Sequence, residues 1–171
     1  MDIKSFIRDI PDFPQSGVIF RDITPLMSNG EAFKFAVQKM AEPFKNAGIE
    51  NVAAIESRGF FFGSCVALEL GCGFTPIRKK GKLPWQTDSE DYSLEYGSAT
   101  IEVHKDAFSK GERVLLLDDV LATGGTISAA TRLVEKQGAL VSGVVFLVEL
   151  DFLQGRKNIK LNCPVHSIVH Y

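Results

Sequence analysis

The sequence is poor in cysteine and histidine and has no long apolar run, and each shortage removes a class of function. Its three cysteines, Cys65, Cys72 and Cys163, are odd in number and sit in no metal-ligand spacing. Reduced thiols in an intracellular protein are expected, not a disulfide framework or a zinc cluster. The three histidines, His104, His166 and His170, form no metal set either, and structural or surface roles are expected for them. The most apolar stretch, GFFFGSCVALELGCGF, carries Glu69 and is too short to span a bilayer. There is no excess of basic charge: 19 Lys and Arg against 21 Asp and Glu leave a formal charge of −2. That argues against a general nucleic-acid or membrane-surface binder. The opening residues MDIKSFIRDIPDF carry charges where a signal peptide needs an apolar run, so a cytoplasmic protein is expected. Repeats, low-complexity tracts and linkers are absent as well. The familiar nucleotide fingerprints fail too: no G-x-G-x-x-G follows a strand, and position 125, where a Walker loop needs lysine, is glycine.

What is present is an ordinary globular composition, 45% hydrophobic and 23% charged over 171 residues. The length favours one domain spanning residues 1–171. Helix and strand patterns alternate. Residues 30–46 place Phe33, Ala36, Val37, Met40 and Phe44 at helical spacing behind a cap at Ser28 or Asn29. NVAAI (51–55), FTPIR (74–78), SATIEVH (98–104) and RVLLLDD (113–119) read as strands. FFFGSCVALEL reads as a helix, with its FFF at 60–62 in core or subunit contact, and a second helix runs from about Thr126 to Gln137 with Gly138 at its end. LVSGVVFLVEL and VHSIVHY supply two further strands. The fold class is therefore α/β, a mainly parallel twisted sheet flanked by helices, with ligands at the carboxyl ends of the strands. Residues 81–97 are polar and broken by Gly and Pro, and predict a long flexible loop, a lid over roughly 80–97.

The chemistry concentrates in VLLLDDVLATGGT, residues 114–126. A buried strand ends in Asp118 and Asp119; then Ala122, Thr123, Gly124, Gly125 and Thr126 lead into a helix. Small residues let backbone N–H groups approach an anion, and the helix N-terminus adds about half a positive charge. Bare carboxylates would repel a phosphate, but they suit hydroxyl groups beside it, or the shell of a Mg²⁺ ion. A ribose 5-phosphate has both parts.

This string resembles the phosphoribosyl pyrophosphate signature of the type I phosphoribosyltransferases. The resemblance implies a donor, 5-phosphoribosyl 1-pyrophosphate, whose diol meets Asp118 and Asp119 and whose 5-phosphate meets residues 122–126. It also demands a second anion site. IESRGFFFG (55–63) is a second strand-loop-helix unit with Arg58 at the turn, and IRKKGKLP (77–84) supplies Arg78, Lys79, Lys80 and Lys82. By the resemblance, Ser57 and Arg58 bind pyrophosphate together with Arg78, Lys79 and Lys82, and Arg58 is catalytic. Mg²⁺ is expected to arrive on the pyrophosphate, with no protein metal site of its own.

Composition does not choose the acceptor base. GVIFRDITPL (17–26) makes a plausible wall for a purine slot. The ordered strings PDFP..GV.FRDITP, ESRGFFFG, IRKKGKLP, YSLEYG, VLLLDDVLATGGT and LVEL span about Ile10 to Tyr171. They are similar to the members of the family that act on adenine. That implies an adenine pocket from Ile19, Phe20 and Arg21, a proton-transfer or charge-stabilising role for Glu95, and closure of the lid by Tyr96. It also implies a homodimer that makes AMP and pyrophosphate from adenine and the donor. A transferase for a 6-oxopurine is the alternative within the family, and a nucleotide-responsive regulator the alternative outside it. No role is expected for Trp85 or Asp88.

Overall fold

The computed structural model of the chain describes residues 1–93 and 98–171. The expected Glu95 and Tyr96 lie outside the described residues. A small antiparallel hairpin comes first, β1 (Arg8–Pro11) and β2 (Ile19–Asp22), paired so that Asp9 faces Arg21 and Ile10 faces Phe20. The helices α1 (Thr24–Ser28) and α2 (Gly30–Ala41) follow. The Asn29 side chain accepts from the Ala32 N–H at 3.0 Å, so Asn29 caps α2. At the other end a 3₁₀ turn, Glu42–Phe44, replaces the last part of the expected helix, where Pro43 cannot donate to the α-helical ladder. Then come β3 (Asn51–Ile55), α3 (Arg58–Leu70), β4 (Gly73–Lys79), β5 (Thr87–Ser93), β6 (Ser98–His104), β7 (Arg113–Leu121), α4 (Gly125–Lys136), β8 (Leu140–Glu149) and β9 (Val165–His170). Among the described residues no helix is long and apolar enough to cross a membrane.

One seven-stranded sheet runs β5-β6-β4-β3-β7-β8-β9. Strands β4, β3, β7, β8 and β9 are parallel, while β6 and β5 join antiparallel at one edge. The reason lies in the apolar runs. Leu115 and Leu117 of β7 pack with α2 and α3, through Met40, Phe62 and Val66. Val114 and Leu116 face the other way and pack with Ile127, Ala130, Leu133 and Val134 of α4. A strand covered on both faces needs no polar alternation, and residues 114–117 are all fully buried.

The expected long loop needs correcting over Thr87–Ser93, which is strand β5, paired residue by residue with β6. Its Asp and Ser residues have low strand propensity, which is why the pattern reads as loop. The segment is an edge strand, where charged side chains fit and block further pairing. It also leans on α4: Arg132 Nε donates to Glu90 at 2.8 Å, and Gln137 Nε2 donates to Asp88 Oδ2 at 3.0 Å.

Candidate active site

The carboxyl ends of β3, β4 and β7 meet under the β1–β2 hairpin and enclose a cavity of about 330 Å³. Its lining includes Phe20, Ser57, Arg58, Lys79, Asp118, Asp119 and Thr126, so one space brings together members of every expected group that the structure describes. Ile55, Ile77, Ile101 and Tyr92 supply its apolar wall.

Asp118 and Asp119 stand near the end of β7, the first half-buried and the second buried. Burial pushes the Asp118 carboxyl well up, and the neighbouring Asp119 charge adds to that. Burial also raises Asp119, but the Arg58 guanidinium, 2.5 Å away, limits the rise. Gly59 lets the first turn of α3 approach this pair: a Cβ there would lie 3.1 Å from Asp118 Oδ1.

Beyond the acids, Ala122, Thr123, Gly124 and Thr126 line an adjoining small cavity of about 50 Å³ that shares Asp118 and Thr126 with the larger one. Gly125 opens α4. Gly124 has φ +83°, a backbone conformation that favours glycine, and a Cβ there would meet the Gly155 carbonyl oxygen at 2.5 Å. The loop therefore turns at Gly124 and delivers the amino end of α4 to the cavity.

Opposite stand Ser57 and Arg58, at the junction of β3 and α3, after a cis Glu56–Ser57 peptide. Arg58 joins three parts of the site: it pairs with Asp119, donates to the Arg21 carbonyl oxygen at 3.5 Å, and lies 4.8 Å over the Phe20 ring. The basic run at the end of β4 divides. Lys79 lines the cavity, whereas Arg78 and Lys82 turn to Glu56. Glu56 was not expected to act, yet its buried carboxylate takes the Arg78 Nε at 3.1 Å, the Lys79 N–H at 3.0 Å and the Lys82 ammonium. Burial alone would raise its pKa; the Lys82, Lys79 and Arg78 contacts outweigh that and hold it below the ordinary value. No local signal marked it, because Arg78 and Lys82 reach Glu56 from 22 and 26 residues further along the chain.

The three residues expected at the base take different positions. Phe20 lines the cavity and packs edge-on to Phe13, with ring centres 5.2 Å apart. Ile19 is half-exposed on the hairpin. The Arg21 side chain turns away to pair with Asp9 and stack over the Tyr171 ring at 3.7 Å, which leaves its carbonyl oxygen to Arg58. Tyr92 and Ile101, which sequence reasoning missed as cavity lining, come from β5 and β6. Among the described residues Glu149, Asp151 and His170 are close enough together to hold a metal ion. Glu149 is already occupied by Arg156 and Ser167, and His170 by Asp151 at 2.9 Å, so the group reads as an ion-pair network.

The model of the phosphoribosyl transferase domain family matches residues 28–164. The adenine phosphoribosyltransferase of Thermotoga petrophila is 55% identical over 160 residues, 94% of each chain. The crystal structure of the adenine phosphoribosyltransferase of Thermoanaerobacter pseudethanolicus superposes with a TM-score of 0.95 at 46% identity, covering 99% of this chain and 98% of that one. That of Saccharomyces cerevisiae, complexed with D-2,5-dideoxy-2,5-imino-altritol 1,6-bisphosphate and adenine, has a TM-score of 0.90 at 40% identity, covering 97% and 96%.

Proposed function

We infer the reaction of a chain that belongs to the phosphoribosyl transferase family: it transfers the phosphoribosyl group of 5-phosphoribosyl 1-pyrophosphate to adenine, giving AMP and pyrophosphate, a purine salvage step. The observation that carries the residue roles is the single cavity in which an acid pair, an amide-rich loop and basic side chains converge. In this reading Asp118 and Asp119 accept hydrogen bonds from the ribose diol. The amides and hydroxyls of Ala122, Thr123, Gly124, Gly125 and Thr126 hold the 5-phosphate at the start of α4. Ser57, Arg58 and Lys79, which line the cavity, meet the pyrophosphate, and Arg78 and Lys82 join them on leaving Glu56.

The bond at carbon 1 of the ribose loosens before the adenine nitrogen arrives. Cationic charge then builds on the sugar and anionic charge on the leaving pyrophosphate. Arg58 and Lys79 stabilise the leaving group from fixed positions, and the acid pair lies beside the developing cation. Anchoring the 5-phosphate spends remote binding energy on aligning the ring. Phe20 and Ile19 flank the base, and the Arg21 main chain reads its edge. Asp118 and Asp119 are among the residues lining the cavity, and carboxylate oxygens are hard donors of the kind Mg²⁺ prefers. The ion would come with the donor's pyrophosphate and neutralise part of its charge. Glu95 handles the purine's proton and Tyr96 covers the ribose. A homodimer and a cytoplasmic setting complete the proposal; exposed Phe61, Leu68 and Phe74 on α3 and β4 give a second copy an apolar surface to cover.

Mixing the protein with the donor, Mg²⁺ and each free base tests the assignment. AMP is expected from adenine, with hypoxanthine and guanine left unconsumed. Equal turnover of hypoxanthine would move the assignment to a 6-oxopurine.

A further inference from the structure

The 3₁₀ turn Gly155–Asn158, after β8, lies against the 122–126 loop without lining either cavity. Its contacts go to the carbonyl side of the loop. Asn158 Nδ2 donates to the Thr123 carbonyl at 2.8 Å. The Ser128 hydroxyl lies 2.8 Å from the Gly124 carbonyl and 3.1 Å from the Asn158 carbonyl, within donating distance of both. Gly155 sits flat on the loop: a Cβ there would lie 2.0 Å from the Ala122 carbonyl oxygen and 3.0 Å from the Thr123 carbonyl carbon. The turn is itself tied down. Arg156 donates to Glu149 at 3.0 Å and to the Val165 carbonyl at 2.7 Å, and Ser167 donates to Glu149 at 2.5 Å.

A trans peptide puts its C=O and N–H on opposite sides. Holding the loop's carbonyls toward residues 155–158 therefore keeps its N–H groups turned the other way. An amide cradle fails if one peptide rotates, because a carbonyl oxygen then faces the anion. We propose that Asn158 and Gly155 are positioning residues for the donor's 5-phosphate, fixing the orientation of the 122–126 peptides. The proposal rests on the reading of that loop as the phosphate site.

The test compares AMP with adenosine, which lacks the phosphate, by calorimetric titration of the unaltered protein, Asn158→Ala and Ser128→Ala. The unaltered protein is expected to bind AMP far more tightly than adenosine. Loss of the Asn158 hydrogen bond is expected to weaken AMP about tenfold and leave adenosine unchanged. KM for the donor is expected to rise while KM for adenine holds. Ser128→Ala removes a single hydroxyl and should move the same way, which keeps the test open if Asn158→Ala melts early. Variants that keep the full preference for AMP, or lose AMP and adenosine equally, would overturn the proposal. No preference in the unaltered protein would instead remove the phosphate cradle itself, and the proposal with it.

Discussion

Asp118 and Glu56 are both acids of the cavity, and their environments push them in opposite directions. Burial, then the Asp119 charge, makes the folded Asp118 bind its proton more readily than the unfolded chain does. Stability therefore falls as pH rises from the ordinary carboxylate range toward that raised value. Asp118→Asn is expected to raise Tm at pH 7–8 by a few degrees. The same change should weaken donor binding by about 1.5–3 kcal/mol. Thermal melts and a donor titration check both halves, and a variant that melts below the unaltered protein at pH 8 contradicts the first. For Glu56 the sign reverses. Its contacts with Lys82, the Lys79 N–H and Arg78 contribute stability above the ordinary carboxylate pKa. That stability is lost as pH falls through the lowered value. Glu56→Gln should accordingly flatten the acid limb of the Tm-against-pH curve, and an unchanged limb would show that these contacts add nothing.

The elements show how tightly the site is framed. Gly63 on α3 has no room for a side chain, since a Cβ would lie 2.4 Å from that of Ala54 on β3. Gly63→Ala is expected to cost about 1–3 kcal/mol in a denaturant titration. On the other face, Arg132 of α4 also donates to the Asp91 carbonyl at 3.0 Å, alongside its Glu90 contact. Arg132→Ala should speed amide exchange across residues 87–93 while costing under about 1 kcal/mol overall, because the pair is partly exposed. The β7–loop–α4 unit was legible in sequence because a run of buried apolar residues, two acids and a Gly-Gly turn each have one economical reading. β5 was not, because its ladder to β6 comes from a neighbour and not from its own residues. The β1–β2 hairpin was seen only as a wall for the base, since four-residue strands carry too little alternation to register. The Glu56 clamp and the Gly155–Asn158 support were invisible for a related reason, as both depend on which distant segments the fold brings together.

At the scale of the molecule, the parallel strands set the geometry. β3, β4 and β7 end together, so Ser57 and Arg58, Lys79, and the acid pair arrive at one place from separate parts of the chain. The hairpin roofs that place through Phe20 and Arg21. The central claim is that one end of this sheet grips a ribose 5-phosphate by its diol and its phosphate at once. A crystal structure with bound AMP tests it most directly. The account predicts the phosphate against the amides of residues 122–126 and the ribose hydroxyls on Asp118 and Asp119. A phosphate seated elsewhere, or acids turned away from the sugar, would contradict it.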